Sequence, residues 1–162
     1  MMSEYIFDNN SHEYYMAAAI KQAQKAAIDD EVPVGAVIVH KGNIIARAHN
    51  QVERLKDPTA HAEMIVITQA TSFLDNKWLS ECSIYVTIEP CSMCAGALVL
   101  SRIKEIVYGA ADLKTGACGS VFNIANNSKL NHCIDISHGI LANDCAFLLS
   151  EFFQKKRAEG KK

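Results

Sequence analysis

Ser83-Ile84-Tyr85-Val86-Thr87-Ile88-Glu89-Pro90-Cys91-Ser92-Met93-Cys94-Ala95-Gly96-Ala97, running on to Ile103-Lys104-Glu105-Ile106-Val107-Tyr108, is the stretch whose pattern sets the architecture. Residues 83–88 are rich in β-branched and aromatic side chains, as a strand requires. Pro90 suits the first turn of a helix, where its missing N–H would have no partner anyway, so a helix is predicted from Cys91 to about Leu100. Residues 103–108 return to strand composition. A strand, a short helix and a strand with minimal connections form a βαβ crossover, so these two strands are expected to run parallel in a mixed sheet covered by helices.

Working outward, Val34-Gly35-Ala36-Val37-Ile38-Val39 and Ile44-Ile45-Ala46-Arg47-Ala48 flank the turn signal Lys41-Gly42-Asn43 and read as a β-hairpin. Asp57-Pro58-Thr59 is expected to end the next loop and open a helix through about Ser72. Ser11 can cap a first helix running to about Asp29. Tyr15, Ala18, Ala19, Ala23, Ala26 and Ala27 give that helix a small-residue apolar face suited to close packing. Beyond the crossover, a weaker strand is expected at Ile134-Asp135-Ile136. A last helix is expected from roughly Asn143 to Arg157, with Leu148 and Phe152 on one face. No linker, repeat or composition break interrupts the chain, which is read as a single domain over residues 1–162 with a basic helix end at about 143–162.

At 162 residues and 49% hydrophobic, the chain is long enough to bury about two thirds of its unfolded surface, so neither metal nor disulfide is required merely to fold. The opening Met1-Met2-Ser3-Glu4-Tyr5-Ile6-Phe7-Asp8 carries acids where a secretory signal would carry a basic segment and an apolar run. No run approaches the ~18 apolar residues of a transmembrane helix. A cytoplasmic protein with no membrane partner is expected. Its six cysteines are then read as reduced thiols: Cys91 and Cys94 for metal, Cys82 and Cys145 as small buried apolar residues, with Cys118 and Cys133 open. A net charge of -2 excludes a uniformly basic nucleic-acid binder, but the tail from Lys155 to Lys162 holds five positive charges and one negative and offers a local patch for phosphates.

Two motifs carry the chemistry. His61-Ala62-Glu63 is weak evidence alone, whereas Pro90-Cys91-Ser92-Met93-Cys94 is far more specific. Zinc takes nitrogen and sulfur ligands, and a catalytic zinc keeps three from protein with a fourth position open to water. His61, Cys91 and Cys94 supply three. Glu63 lies too near His61 to share the tetrahedron comfortably and is the candidate proton carrier. A purely structural zinc is usually closed by a fourth cysteine or histidine, often in a second Cys-x-x-Cys, which this chain lacks. A dithiol redox pair would explain neither His61 nor Glu63.

These residues resemble the signature of the zinc-dependent cytidine/deoxycytidylate deaminase superfamily. Glu31-Val32-Pro33-Val34-Gly35-Ala36, Asp57-Pro58-Thr59-Ala60-His61-Ala62-Glu63, residues 85–97, Ser101-Arg102-Ile103 and Lys114-Thr115-Gly116-Ala117 are similar to the bacterial tRNA-specific adenosine deaminases, over about His12 to Arg157. The resemblance implies an α/β fold, with three α/β/α layers around a central mixed five-stranded sheet. It implies hydrolysis of the wobble adenosine of a tRNA anticodon to inosine. It also implies one Zn2+ per subunit and a homodimer whose two copies build the RNA surface. His61, Cys91 and Cys94 would bind the metal and Glu63 would shuttle the proton. Asn50 would hydrogen-bond the target nucleoside and Asp112 would contact the adjoining backbone or sugar. Phe153, paired with Phe152, and Lys156 and Arg157 of the basic tail complete the candidate substrate contacts. Ala111 and Leu113 flank Asp112 where a basic residue is expected, and His49 stands where an aromatic is common. The rivals are a guanine or other free-base or nucleoside deaminase, and a catalytically silent zinc-binding RNA module. The 112–117 loop and basic tail favour RNA, and the intact Glu63 favours catalysis.

Overall fold

The computed structural model describes residues 6–160; the first five residues of the acidic opening and Lys161 and Lys162 of the basic tail lie outside the described residues. Ser11 accepts the Tyr14 N–H at 3.1 Å and caps α1, His12–Ile28. The hairpin follows as β1, Gly35–His40, and β2, Asn43–His49, joined by Lys41 and Gly42. Both turn residues have positive φ, 49° and 80°, the geometry that matches the twist of a tight hairpin. A short α2, Val52–Leu55, precedes α3, Ala62–Leu74. Then come β3, Cys82–Ile88, α4, Ser92–Leu100, and β4, Glu105–Ala110. The chain closes with β5, Asp135–His138, and α5, Ala142–Ala158.

The sheet has five strands in the order β2-β1-β3-β4-β5. β1 is antiparallel to β2 and β3, while β3 and β4 pair in parallel from Ser83↔Glu105 to Ile88↔Ala110, as the βαβ pattern predicts. Alternation along the strands divides the interior in two. Ala36, Ile38, Ile84, Val86 and Ile106 face Ala62, Val66, Ala95 and Leu98 of α3 and α4. Val37, Val39, Tyr85 and Val107 face Tyr15, Met16, Ala19 and Ile20 of α1, with Cys145 of α5. The layers are therefore α/β/α, as expected. Cys82 and Cys145 are buried free thiols; Cys118 is also buried and Cys133 is exposed. Among the described residues no helix is long and apolar enough to cross a membrane.

Two of the boundaries that differ from the sequence pattern have a reason visible in the local hydrogen bonds. The helix expected to open at Asp57-Pro58-Thr59 begins at Ala62. Asp57 instead accepts the Thr59 N–H at 2.8 Å and the Thr59 hydroxyl at 2.7 Å, closing a turn with the same side-chain chemistry that caps helices. β4 begins two residues later than Ile103 because α4 ends in a left-handed residue, Arg102 with φ 58°. The Arg102 N–H donates to the Val99 carbonyl and the Ile103 N–H to that of Leu98, so Ile103 is the apolar seal of a helix terminus.

The small face of α1 has a concrete use. A Cβ on Gly35 would overlap the backbone of Ala19 and Ala23, so the helix lies against β1 more closely than any side chain allows. Gly35→Ala is expected to destabilise the fold by about 2–3 kcal/mol through forced helix displacement. Equilibrium urea unfolding measures this, and an unchanged midpoint would contradict the close approach.

Candidate active site

Every residue of interest lies along one edge of the sheet, where β2, β3 and β4 end and β1 begins. Asn50 follows β2 directly. Its backbone N–H donates to the Val34 carbonyl at 3.1 Å, and its side-chain oxygen accepts the Ala62 N–H at 2.8 Å. The second bond satisfies a first-turn N–H of α3, which its N-cap residue His61 leaves without a side-chain cap. Asn50 thereby holds His61 at the helix entrance. Cys91 is likewise the N-cap of α4, extended at φ -72° and ψ 176°, rather than inside its first turn. Cys94 lies within that turn and is fully buried.

These elements bring the His61, Cys91 and Cys94 donor atoms within 4.8 Å of one another. His61 Nδ1 stands 3.7 Å from Cys91 Sγ and 3.6 Å from Cys94 Sγ. Zn–S bonds of about 2.3 Å and Zn–N bonds of about 2.0 Å at tetrahedral angles place sulfur and nitrogen roughly 3.5 Å apart. The donor set therefore fits zinc. The Cys94 thiol donates toward Cys91 and holds it down at about 4 as a thiolate, while the same contact pushes Cys94 up. The hydrogen bond to Cys91 raises His61.

Glu63 follows from the first turn of α3. It is 2% exposed, and its Oε2 is buried with no hydrogen-bond partner among the described residues. Burial pushes its carboxyl up to about 7. An unpartnered carboxylate oxygen is costly away from water, and this one lies beside three potential metal donors.

The cleft around this point has a volume of about 1250 Å³ and is lined by His61, Glu63 and Cys91 together with Asn50, Asp112, Phe153, Lys156 and Arg157. All the candidate metal, catalytic and substrate-contact residues, apart from buried Cys94, thus meet at one cavity, whereas His49, Ala111 and Leu113 are not among its lining. Their states differ. Asp112 is engaged in its own loop, accepting from the Lys114 N–H at 2.9 Å, the Thr115 N–H at 3.1 Å and the Thr115 hydroxyl at 2.6 Å. Burial works to raise its carboxyl, but these bonds outweigh it and hold the group low. Lys156 pairs with Asp30 and lies 5.4 Å over the Phe152 ring. Phe152 is buried, while Phe153 is 43% exposed. His49 packs against α1, reaching Gln22 and Asp29 at 3.5 Å.

One residue had no role in the motif reading. Glu89 is 1% exposed and accepts the N–H groups of Cys118, Ser120 and Asp112, each at 3.0 Å, as well as the Ser120 hydroxyl. Burial works to raise its carboxyl, yet these donors hold it below the usual range. The signal was present: an acid directly after an apolar strand sits where the pattern demands burial.

Residues 9–110 match the model of the cytidine and deoxycytidylate deaminase zinc-binding region. The chain is 50% identical over 145 residues to a tRNA-specific adenosine deaminase of Aquifex aeolicus, covering 90% of this chain and 95% of that one. It is 46% identical over 149 residues to another from Bacillus subtilis, covering 92% of each. A solved structure from work on A-to-I editing by tRNA:A34 deaminases aligns with a TM-score of 0.81 at 40% identity, over 84% of this chain and 99% of that chain. A guanine deaminase of Bacillus subtilis aligns less well, with a TM-score of 0.61 at 31% identity, over 91% and 94%.

The purified chain is expected to carry one zinc, and His61→Ala or Cys94→Ala to lose it, by elemental analysis. Chelation is expected to lower the melting temperature without unfolding the chain at 25 °C, because neither hydrophobic core includes a metal donor. Loss of far-UV circular dichroism on chelation would contradict that independence.

Proposed function

Because the chain belongs to the tRNA-specific adenosine deaminases, within the cytidine and deoxycytidylate deaminase family, we infer that it hydrolyses the wobble adenosine of a tRNA anticodon to inosine and ammonia. The observation that carries this reading is the unpartnered Glu63 oxygen beside the zinc-type donor set. His61, Cys91 and Cys94 would hold a zinc, which when bound would supply a Lewis acid that activates water for attack. Glu63 would take one proton from the attacking water and pass it to the purine ring nitrogen as the oxygen bonds to the adjacent carbon, then move the second proton from the new hydroxyl to the amine, so that the C–N bond breaks, ammonia leaves and the carbonyl of inosine remains. Asn50 has its oxygen occupied by the Ala62 N–H, which leaves its amide N–H groups to donate to the nucleoside. Phe153 offers a ring face for a splayed base, and Asp112, Lys156 and Arg157 border the same space.

A polymeric substrate is favoured over a free base by size. The cleft, at about 1250 Å³, exceeds the ~300–1,000 Å³ usual for small-ligand pockets. An anticodon loop also presents unstacked bases that enter a pocket without opening a duplex. A second copy of the chain is supported by α4, whose Met93, Gly96, Ala97 and Leu100 repeat at helical spacing outside the core, with Leu100 76% exposed. We take residues 1–162 to act as one domain, as a homodimer in the cytoplasm where tRNA is found.

The zinc-loaded protein is expected to form inosine in an anticodon stem-loop carrying a wobble adenosine, and to leave guanine and cytidine unchanged. Guanine deamination without inosine in the RNA would overturn the reading. Glu63→Ala is expected to retain zinc and lose about 10²–10⁴-fold in turnover, followed by single-turnover inosine formation.

A further inference from the structure

Two loops wall the cleft, and each hangs from a buried carboxylate outside the metal site. Glu31, 2% exposed, lies between α1 and β1. Its Oε1 accepts the Arg54 N–H at 2.7 Å and its Oε2 the Glu53 N–H at 3.1 Å. These belong to the first turn of α2, where N–H groups have no partner inside the helix. A helix of four residues is far below the length that sustains itself in water, so its placement depends on such outside bonds. Glu31 is itself fixed by the end of α1: its N–H donates to the Ala26 carbonyl at 2.9 Å after a left-handed Asp30, φ 60°. The wall that carries Arg54 and Lys56 is therefore anchored to α1.

The opposite wall has the same construction. Glu89 is held by its own N–H on the Ala110 carbonyl at 2.9 Å, at the end of the parallel β3/β4 pair. From there it gathers Asp112, Cys118 and Ser120. Gly116 passes so close that a Cβ would strike the Glu89 carboxylate. The Ala117 N–H donates to the Pro90 carbonyl at 2.8 Å, laying this loop beside Cys91.

We propose that Glu31 and Glu89 are positioning residues that set the two walls of the substrate cleft, each by presenting a buried carboxylate to backbone N–H groups of its loop. Neither touches the reacting atoms. They act through the loops bearing Arg54 and Lys56 on one side and Asp112 and Lys114 on the other. The consequence for turnover rests on the RNA reading above, whereas the anchoring itself does not. Replacing carboxylate by amide turns an NH2 group toward one N–H donor in each loop, which loosens that wall while leaving the chain sterically unchanged.

The test uses the full-length zinc-loaded protein, the stem-loop substrate, and the variants Glu31→Gln, Glu89→Gln and their combination. Ser120→Ala serves as a milder second variant that leaves the Glu89 charge in place. Amide hydrogen exchange is expected to accelerate at residues 53–54 in Glu31→Gln and at 112–120 in Glu89→Gln. KM for the stem-loop is expected to rise about tenfold in each, by more than kcat falls, with one zinc retained. The two KM effects are expected to multiply in the double variant, as separate walls require. A merely scaffolding role predicts a lower apparent kcat at constant KM, and that result overturns the proposal. Unchanged exchange at the loop amides, or zinc loss from Glu89→Gln, overturns it as well. Wild-type protein that exchanges as expected yet is inert on the stem-loop sinks the functional reading and leaves the anchors standing.

Discussion

A carboxylate removed from water must find donors, and along one edge of this sheet that demand organises what lies above it. Glu89 faces the loop after β4 and collects three backbone N–H groups and one hydroxyl. The loop cannot take another path without stranding those groups, and Gly116 is where its backbone passes closest. Cys91 follows Glu89 by two residues, so the same short segment presents a metal ligand on one side and a folded loop on the other. Asn50 performs a smaller version of this at α3, where its oxygen completes the helix start that carries His61.

The site divides its labour accordingly. The donor atoms come from the entrances of two helices packed on the same side of the sheet, so the sheet fixes their separation. Glu63 is the exception to full satisfaction: it keeps an unpartnered oxygen where every neighbouring buried acid is bonded. The buried carboxylate of Glu63 is held by packing, while the donor helix of His61 and the loops around the site are also held by hydrogen bonds. That separation explains why a closed hydrophobic core and an open cleft coexist within a few residues of one another.

Much of this was legible in the residues. The strand, helix and strand around Pro90 announced a parallel pair because β-branched runs and a proline at a helix entrance have few other uses. His61, Cys91 and Cys94 announced a metal because their types and spacing match zinc chemistry. What was not legible was local chemistry with two meanings. Asp57 and Thr59 carry the side chains of a helix cap but close a turn, and Ile103 looks like a strand residue but seals the end of α4. Basic residues were equally ambiguous: Lys156 reads as a free phosphate contact, yet its partner Asp30 lies 126 residues earlier. The anchors Glu31 and Glu89 stood in the quoted motifs, but only contacts distant in sequence reveal what each carboxylate holds.

The placement of α2 has a consequence for how such a protein can diversify. Between the anchored Arg54 N–H and the Asp57 turn stand only Leu55 and Lys56, and between the anchored Asp112 N–H and Thr115 stand Leu113 and Lys114. These tips are exposed and contribute neither metal donors nor core. Inherited change confined to them can alter charge and bulk at the cleft mouth while the reaction centre is passed on intact. A lineage could thus explore new nucleic-acid contexts through two dipeptides, and a directed library built on those four positions would sample the same landscape.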